Sequence, residues 1–446
     1  MNLKMDAPVG IFGKGLTGLA TLRLLRQSSL PKNQIFLFDE KSLPEGLSLG
    51  EFLKDSDIRT LVVSPGVPLA KPEIQKFIQQ GGKVTSELEI AWNFLTQEQV
   101  LCVTGSVGKS TVAALLHTAL KTEDPNAFIG GNFGFPLADY VADVLEGIRP
   151  RAKYIVLELS SYQLENFPSL VAHGTILTSL LSNHLERYPT KQDYFLAKWS
   201  LLQKSKGPII LNKTSGDLES FFEDRFKNQN SSKPDIPWEK CYWTDHRDST
   251  VPQDLYTKSP LLGAHNRDNI AMAYQLLKCL GLQHLGPSLA LFQGLAHRVE
   301  NCGLINGVQY INDSKATTME SVIQAVATVK ERLTEGHKIL LLLGGRDKNL
   351  PWQNLSQLKN SSDSNPAKIQ FLFFGEFALK AKALSGLEGP VFDRLALAVE
   401  EAKKQAEPGD IILLSPGGSS LDEFGSFEKR GDYFKNLVSQ LMPSPV

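Results

Sequence analysis

The residues best suited to chemistry lie in the stretch LCVTGSVGKSTVAAL, between Leu101 and Leu115. An apolar run predicts a strand and a helical apolar pattern follows it, with Gly105, Gly108 and Lys109 in the loop between them. Small residues let several backbone N–H groups converge on one anion, and the N-terminus of the following helix adds a partial positive charge. The sequence therefore predicts a phosphate-binding loop that holds ATP or GTP.

In such a loop the lysine reaches the β- and γ-phosphates and the next hydroxyl ligates Mg²⁺. The predicted nucleotide-binding residues here are Gly105, Ser106, Gly108, Lys109, Ser110 and Thr111. The motif has the shortened form G-x-x-G-K-[ST], because Val103 stands where the longer form has its first glycine. A plain turn from strand to helix is the alternative interpretation.

The composition limits the classes of partner. The chain has 446 residues, which is enough for about three domains, and its 42% hydrophobic and 21% charged residues are typical of a globular protein. The net charge is -1, so we expect no nucleic-acid or membrane partner. The four cysteines lack C-x-x-C spacing, which argues against a zinc site or a disulfide framework. With no signal peptide and no apolar run of about 18 residues, we expect a cytoplasmic protein. We also expect a monomer.

A second glycine loop lies near the N-terminus. Gly13, Gly15 and Gly18 have G-x-G-x-x-G spacing between a predicted strand and an amphipathic helix. Asp39 and Glu40 end the next strand about twenty residues later, where an acidic group can bond a ribose hydroxyl. The pattern predicts a dinucleotide-type site, and the alternative is that the glycines only permit close packing of helix on strand.

The apolar pattern divides the chain into three units of alternating strands and helices. The first unit includes the strand of RTLVVSPGV, which Ser64 follows, and the second includes the phosphate loop. Glycines and polar residues in FQGLAHRVENCGLINGV indicate a hinge before the third unit. We predict an α/β fold of three domains, residues 1–98, 99–296 and 297–446, of which the first and third are Rossmann-like and the second is a parallel sheet of the P-loop ATPase type.

Short motifs along nearly the whole chain resemble those of the Mur ligase family. In chain order they are GKGLTG, SPGVPLAKPEI, TGSVGKST, GGNFGFP, ELSSYQLE, HLERY with AKW, GAHNRDNIAMA, AHRVE, INDSKATT, LLLGG and LSPGGSSLDEFGSFEKRG. ELSSYQLE and SSLDEFGSFEKRG resemble the D-glutamate-adding branch in particular. The resemblance implies an ATP-dependent ligase that adds D-glutamate to UDP-N-acetylmuramoyl-L-alanine in peptidoglycan synthesis. The alternatives are another Mur-type or folylpolyglutamate-type amide ligase, and a non-catalytic nucleotide-binding scaffold.

The resemblance also changes the interpretation of the N-terminal glycine loop, which would hold a UDP-sugar diphosphate instead of a dinucleotide. The implied UDP-substrate residues are Gly15, Leu16, Thr17, Asp39, Glu40, Ser64, Asn132, Ser160, Gln163 and His184. The third domain would bind D-glutamate through loops that follow apolar strands. Its implied residues are Thr317, Lys348, Ser420, Leu421 and Phe427.

In this family ATP phosphorylates a carboxylate to an acyl phosphate, which the amine then attacks. Because phosphoryl transfer depends mainly on positioning and charge neutralisation, cations around the γ-phosphate matter more than a nucleophile. The implied catalytic residues are Lys109, Glu158, His184 and Lys198, and the implied ligands of two Mg²⁺ ions are Ser110, Glu158, His184 and Lys198. The other implied ATP-binding residues are Asn266, Asn269, Arg298, Asp313 and Lys315.

The resemblance further implies that Lys198 is carbamylated, which turns a cation into an anion. From the residues alone, a lysine on a helix is more typical of a solvated surface. Carbamylation needs a neutral amine and hence a lowered pKa.

Three residues depart from the family pattern. Val107 stands in the phosphate loop where asparagine is usual, Ser179 replaces a common asparagine, and Asn183 replaces a common aspartate. These departures change the polar surroundings of Mg²⁺, so we expect altered metal affinity.

Overall fold

The computed structural model describes residues 5–43, 48–181, 187–227, 236–261, 263–348, 350–359 and 368–441. The chain forms two compact units, Met1–Ser259 with His265–Phe292, and Pro260–Ala264 with Gln293–Val446. Both units have α/β architecture with predominantly parallel sheets, as the alternating pattern predicted. None of the helices in the described ranges has the length and apolar character needed to cross a membrane.

The first unit begins with a four-stranded parallel sheet in the order β2-β1-β3-β4. Its elements are β1 (Val9–Phe12), α1 (Leu16–Leu25), β2 (Ile35–Phe38), α2 (Leu49–Asp55), β3 (Thr60–Val63), α3 (Pro72–Gln79), β4 (Lys83–Thr85) and α4 (Glu87–Trp92). Strands β1 and β3 are buried along their whole length. Near-continuous apolar runs of this kind are typical of parallel strands covered on both faces.

A six-stranded parallel sheet follows in the same unit, in the order β10-β9-β8-β5-β7-β6. Its elements are β5 (Gln99–Thr104), α5 (Lys109–Lys121), β6 (Phe128–Gly131), α6 (Leu137–Leu145), β7 (Tyr154–Glu158), α7 (Ser161–Leu164), β8 (Gly174–Leu177), α8 (Lys191–Gln203), β9 (Ile209–Asn212), α9 (Leu218–Lys227), β10 (Cys241–Thr244), α10 (Asp254–Lys258) and α11 (Ala264–Cys279). Because β5 lies between β7 and β8, the loops after these three strands open side by side at one edge of the sheet.

The two sheets of the first unit share one apolar core, because α1 and α4 pack against α6. At the rim, the Arg23 guanidinium donates to Asp143 over 2.7 Å and also pairs with Glu146. In the interior, a Glu87 carboxylate oxygen accepts a hydrogen bond from the Ala138 amide at 2.5 Å, and burial raises the pKa of Glu87 to about 7. These contacts join residues 1–98 to the central sheet in one compact unit.

The second unit contains a six-stranded sheet in the order β11-β12-β16-β13-β14-β15, in which only β11 is antiparallel. Its elements are β11 (Glu300–Ile305), β12 (Val308–Asn312), α12 (Met319–Lys330), β13 (Lys338–Gly344), β14 (Lys368–Phe374), α13 (Ala378–Ser385), β15 (Val391–Phe392), α14 (Leu395–Gln405), β16 (Ile411–Gly417) and α15 (Phe427–Ser439). Short 3₁₀ helices in the two units span Lys32–Gln34, Glu40–Ser42, Trp238–Lys240, Gln283–Leu291 and Trp352–Lys359.

The boundary between the two compact units lies at the start of the predicted hinge segment, between Phe292 and Gln293, while its later residues form the edge strand β11, paired with β12. Asn306 and Gly307 join the two strands with positive φ angles of 51° and 80°. An Asn-Gly pair between two strands is typical of a tight hairpin turn, since both positions tolerate positive φ. The Asn306-Gly307 dipeptide could therefore have been used to predict this strand pair from the sequence.

Candidate active site

The predicted phosphate loop connects β5 to α5, and Gly108 caps the helix with φ 84°. Gly105 has φ 146°, and a Cβ there would collide with the Thr178 hydroxyl and the Ser179 backbone. Glycine is required at both positions because L-residues rarely adopt these angles. The Lys109 ammonium donates to the Ser106 carbonyl at 3.1 Å, so the lysine folds back over the loop.

The loop is held from one side by the end of β8. The Ser106 amide donates to the Ser179 carbonyl at 2.9 Å, and the Val107 amide donates to the Ser179 hydroxyl at 2.9 Å. The Thr178 hydroxyl donates to the Val107 carbonyl at 2.5 Å. Two of the three departures from the family pattern, Val107 and Ser179, therefore contact each other. The third, Asn183, lies outside the described residues, and the expected change in metal affinity stays a prediction.

Glu158 ends β7 beside this loop and is 1% exposed. The side chain of Asn132 donates from Nδ2 to Glu158 Oε1 at 2.7 Å, and its backbone N–H donates to the backbone carbonyl of Glu158 at 2.8 Å. Glu158 Oε2 is buried and has no hydrogen-bond partner among the described residues. A buried carboxylate oxygen without a donor is costly unless a ligand completes its contacts, so Oε2 is a good candidate for a cation contact.

Lys198 lies in the middle of α8, whose first turn is fixed by a capping box between Thr190 and Asp193. Its side chain is 2% exposed, and its ammonium lies 4.7 Å from the centre of the Tyr194 ring. Burial lowers the pKa of Lys198 well below its ordinary value, and the nearby charge of Lys109 lowers it further, while Glu158 opposes the shift. The structure thus brings Lys109, Glu158 and Lys198 together and favours a neutral amine at Lys198.

The donor set fits Mg²⁺ in part. Glu158 and the buried hydroxyl of Ser110 supply oxygen, which Mg²⁺ prefers. His184, the remaining predicted ligand, lies outside the described residues. Within the ranges that the structure describes, no three His, Cys, Asp or Glu side chains form a group able to hold a metal ion. A Mg²⁺ here would therefore depend on ligands beyond this set, such as water or phosphate.

Asn266 and Asn269 occupy the start of α11, where Asn269 Nδ2 donates to Asn266 Oδ1 at 3.0 Å. The Asn269 amide oxygen lies against Gly108, so close that a Cβ on the glycine would approach it to 2.8 Å. Both predicted nucleotide residues are thus placed next to the phosphate loop.

The N-terminal glycine loop has two structural roles. A Cβ at Gly18 would overlap the Gly13 carbonyl, and a Cβ at Gly13 would overlap the Ser64 hydroxyl. Both glycines therefore allow close packing, as the alternative interpretation held, while the second contact also brings the predicted substrate residue Ser64 to the loop. Gly15 has open space around it, and Leu16 is 78% exposed. An exposed leucine at the mouth of such a loop is available for an apolar contact with a ligand.

The other predicted UDP-substrate residues make local bonds. Thr17 accepts from Thr21 through its carbonyl, Asp39 caps the following 3₁₀ helix, and Glu40 pairs with Lys71. Ser160 and Gln163 form the capping box of α7, with the Ser160 amide donating to Gln163 Oε1 at 3.0 Å. These contacts are within the protein itself, and α7 follows β7 at the edge that also carries the phosphate loop.

In the second unit, Arg298 lies between two residues with positive φ, His297 at 62° and Val299 at 44°. The Val299 amide donates to Asp313 Oδ1 at 3.2 Å, and the Ser415 hydroxyl donates to Asp313 Oδ2 at 2.8 Å. Burial raises the pKa of Asp313 to about 7, and Arg298 opposes the shift. Asp313 therefore stabilises the unusual backbone around Arg298, a role that the sequence did not indicate.

The predicted D-glutamate residues follow β12, β13 and β16, which are neighbours in the sheet. Arg346 and Ser419 exchange two backbone hydrogen bonds of 2.7 and 2.8 Å, so the loops that carry Lys348 and Ser420 lie side by side. Ser420 is buried, Lys348 and Leu421 are exposed, and Thr317 and Phe427 are half-buried. Phe427 also contacts Lys315, whose ammonium lies 3.9 Å from the ring centre.

Arg430 is a residue of this edge that sequence reasoning missed. It is fully buried on α15 and donates to the Ser314 carbonyl at 2.9 Å and to the Gly418 carbonyl at 3.1 Å. It thereby ties the loop after β12 to the loop after β16. An arginine on a helix usually faces water, so its residue type did not indicate a buried role. The one available signal was its position in the motif SSLDEFGSFEKRG.

Two protein-family models match this chain. Residues 103–277 match the Mur ligase middle domain, and residues 297–418 match the Mur ligase glutamate ligase domain. The chain belongs to the Mur ligase family.

Relatives at 31–32% identity carry the name of one member of that family. A protein of Haemophilus influenzae named UDP-N-acetylmuramoylalanine–D-glutamate ligase is 32% identical, and the match covers 99% of this chain and 100% of that protein. Proteins of the same name from Fervidobacterium nodosum and Myxococcus xanthus are each 31% identical, covering 91% and 97% of this chain and 90% and 98% of those proteins.

Solved structures share the fold at lower identity. A crystal structure of MurF from Acinetobacter baumannii is 18% identical with a TM-score of 0.55, and covers 79% of this chain and 78% of that chain. MurF ligase from Thermotoga maritima, solved in complex with ADP, is 14% identical with a TM-score of 0.54, and covers 86% of this chain and 97% of that chain.

Proposed function

We propose that this chain catalyses the ATP-dependent addition of D-glutamate to UDP-N-acetylmuramoyl-L-alanine, with release of ADP and phosphate. The observation that carries the proposal is the buried group of Lys198 and Glu158 beside Lys109 of the phosphate loop. A scaffold that only binds nucleotide has no need for a deeply buried lysine there, since burying an ammonium is costly.

The proposal assigns one role to each sheet. Residues 1–98 would hold the UDP end of the first substrate, 99–296 would bind ATP, and 297–446 would bind D-glutamate. The loops at the carboxyl ends of the parallel strands support this division, because α/β folds bind ligands at that edge.

The reaction needs a leaving group on the carboxylate of the alanyl substrate. ATP supplies it by transfer of the γ-phosphoryl group to a carboxylate oxygen, and attack by the amine of D-glutamate then forms the amide and releases phosphate. Lys109 neutralises charge that develops on the transferred group, and the loop amides hold the phosphates in line for the transfer.

Mg²⁺ would be held by Ser110, Glu158, His184 and Lys198 and would supply charge neutralisation at the phosphate oxygens. Glu158 Oε2, which has no hydrogen-bond partner among the described residues, supports this assignment. Asn132 orients the carboxylate through its hydrogen bond to Oε1. Hydrogen bonds of this kind around a ligand set tune metal affinity.

Carbamylation would make Lys198 a suitable ligand. The ammonium first loses one proton; the neutral amine then attacks CO₂, forms an N–C bond and loses a second proton, so that the cation becomes an anion. The lowered pKa of Lys198 supports the first step, because only the neutral amine has a free electron pair.

We favour D-glutamate as the amine over the amines used by other Mur-type or folylpolyglutamate-type ligases. The relatives at 31–32% identity described above are named as D-glutamate ligases. Lys348 would pair with one carboxylate, Thr317 and Ser420 would donate hydrogen bonds, and Leu421 and Phe427 would pack against the methylenes. Arg298, Asp313 and Lys315 are proposed nucleotide ligands.

Lys348→Ala tests the amino-acid site. A charge-assisted hydrogen bond is worth about 1.5 to 3 kcal/mol, so the KM for D-glutamate should rise at least roughly tenfold. The KM for ATP should not change. Steady-state kinetics with D-glutamate and ATP varied in turn make the measurement.

Lys403→Ala is the control, since Lys403 is an exposed lysine on α14 outside the predicted site. An equal rise in both KM values for Lys348→Ala, or no rise in either, would show that Lys348 does not contact D-glutamate.

A further inference from the structure

Arg187 is held on three sides although it belongs to none of the predicted sites. Its side chain is only 12% exposed. One terminal nitrogen donates to Glu165 Oε2 at 2.8 Å, and the other donates to the Pro65 carbonyl at 3.2 Å. The guanidinium carbon lies 4.0 Å from the centre of the Tyr162 ring. A planar fork that stacks and donates in two directions is a contact that lysine does not reproduce.

The partners of Arg187 are themselves fixed. The Tyr188 hydroxyl donates to the other oxygen of Glu165 over 2.5 Å. The rings of Tyr188 and Tyr162 are stacked, with centres 6.0 Å apart and planes inclined by 21°. The guanidinium therefore has one well-defined position.

These partners come from two different sheets. Pro65 follows β3 of the first sheet and is next to Ser64, while Tyr162 and Glu165 belong to α7 and its C-cap, which follow β7 of the central sheet. Ser64, Gln163 and Arg187 line the same small cavity between these elements. Ser64, Ser160 and Gln163 are all proposed contacts of the UDP-substrate, so Arg187 connects the two halves of that proposed site.

We propose that Arg187 is a positioning residue that sets the distance between the Ser64 loop and α7 before the UDP-substrate binds. This role rests on the proposed function, because it assumes that the two elements contact one substrate. Without Arg187, the Ser64 loop and α7 would have to be fixed in position when the substrate binds. Because that ordering costs free energy of binding, the affinity for the substrate should fall. The contacts proposed for ATP are made by other residues, so we expect kcat and the KM for ATP to change less than the affinity for the UDP-substrate.

Arg23 provides a matched control. It also joins the two sheets of the first unit, through Asp143 and Glu146 of α6. It lies in the last turn of α1, whereas the proposed site lies at the edge where α1 begins. Loss of Arg23 therefore weakens the attachment of one sheet to the other without touching the substrate edge.

The experiment is a calorimetric titration of UDP-N-acetylmuramoyl-L-alanine, without ATP, into wild type, Arg187→Ala, Arg187→Lys and Arg23→Ala. We expect Kd to rise about tenfold or more in both Arg187 variants and less than about twofold in Arg23→Ala. In steady-state assays the KM for this substrate should rise in parallel, with kcat and the KM for ATP within about threefold of wild type. Thermal unfolding of each variant shows whether it folds.

Wild-type affinity in folded Arg187→Ala would overturn the positioning role. Equal weakening in Arg23→Ala, or an equal loss of ATP affinity, would overturn it too, because either result would indicate general attachment of the sheets. Wild-type affinity in Arg187→Lys would show that the planar guanidinium is not needed. If wild type itself does not bind this substrate, the proposed function fails, and the role of Arg187 fails with it.

Discussion

Lys198→Ala is expected to lower turnover by at least about a thousandfold, because it removes a group placed within the charged centre of the proposed phosphoryl-transfer site. The amine is buried next to Lys109 and Glu158, and its pKa is lowered well below the ordinary value by burial and by Lys109. A lowered pKa favours the neutral amine, which is the form that the proposed carbamylation requires. Turnover measured by phosphate release, with and without added bicarbonate, makes the measurement.

Two comparisons separate this role from a merely structural one. Lys191→Ala removes a partly exposed lysine from the first turn of the same helix, and should leave turnover close to that of wild type. Short carboxylates should partly restore Lys198→Ala by replacing the missing anion, an effect that restored packing alone does not produce. Full activity of Lys198→Ala would contradict the role, as would direct evidence for an unmodified amine in the active enzyme.

Lys109→Ala is expected to lower kcat by about a hundredfold to a thousandfold while the protein stays folded. In the proposed function the lysine is the cation beside the γ-phosphate, and its backbone begins α5 at the loop. Its ammonium donates to the Ser106 carbonyl, a polar contact on the loop and not part of the apolar core, so we expect the variant to fold. Single-turnover kinetics, with circular dichroism to check folding, make the measurement.

Lys121→Ala provides the control for this variant, since Lys121 is the exposed last residue of the same helix. It should leave kcat unchanged. Near-normal turnover of Lys109→Ala would remove the basis for an ATP site at this loop.

The phosphate loop was predictable because its chemistry depends on local residue types. Gly105 and Gly108 adopt positive φ, which only glycine tolerates well, and the lysine follows directly. The parallel sheets were predictable for a related reason, since apolar runs such as that of β5 are buried on both faces.

Contacts between distant segments were less accessible to sequence reasoning. The burial of Lys198 depends on how α8 packs on the sheet, and the bond between Ser179 and Val107 depends on β8 lying next to β5. Local residue types do not determine the order of the strands or the packing of the helices. Strand β11 is different, because its Asn-Gly turn was a local signal that was not used.

In the proposed reaction this chain couples ATP cleavage to joining UDP-N-acetylmuramoyl-L-alanine with D-glutamate. The assay that tests this coupling is phosphate release from ATP with each substrate alone, with both together, and with L-glutamate, L-alanine or a diamino acid in place of D-glutamate. We expect sustained release only when the UDP-substrate and D-glutamate are both present, with the amide product formed in equal amount. Faster release with another amine, or release that needs neither substrate, would contradict the proposed reaction.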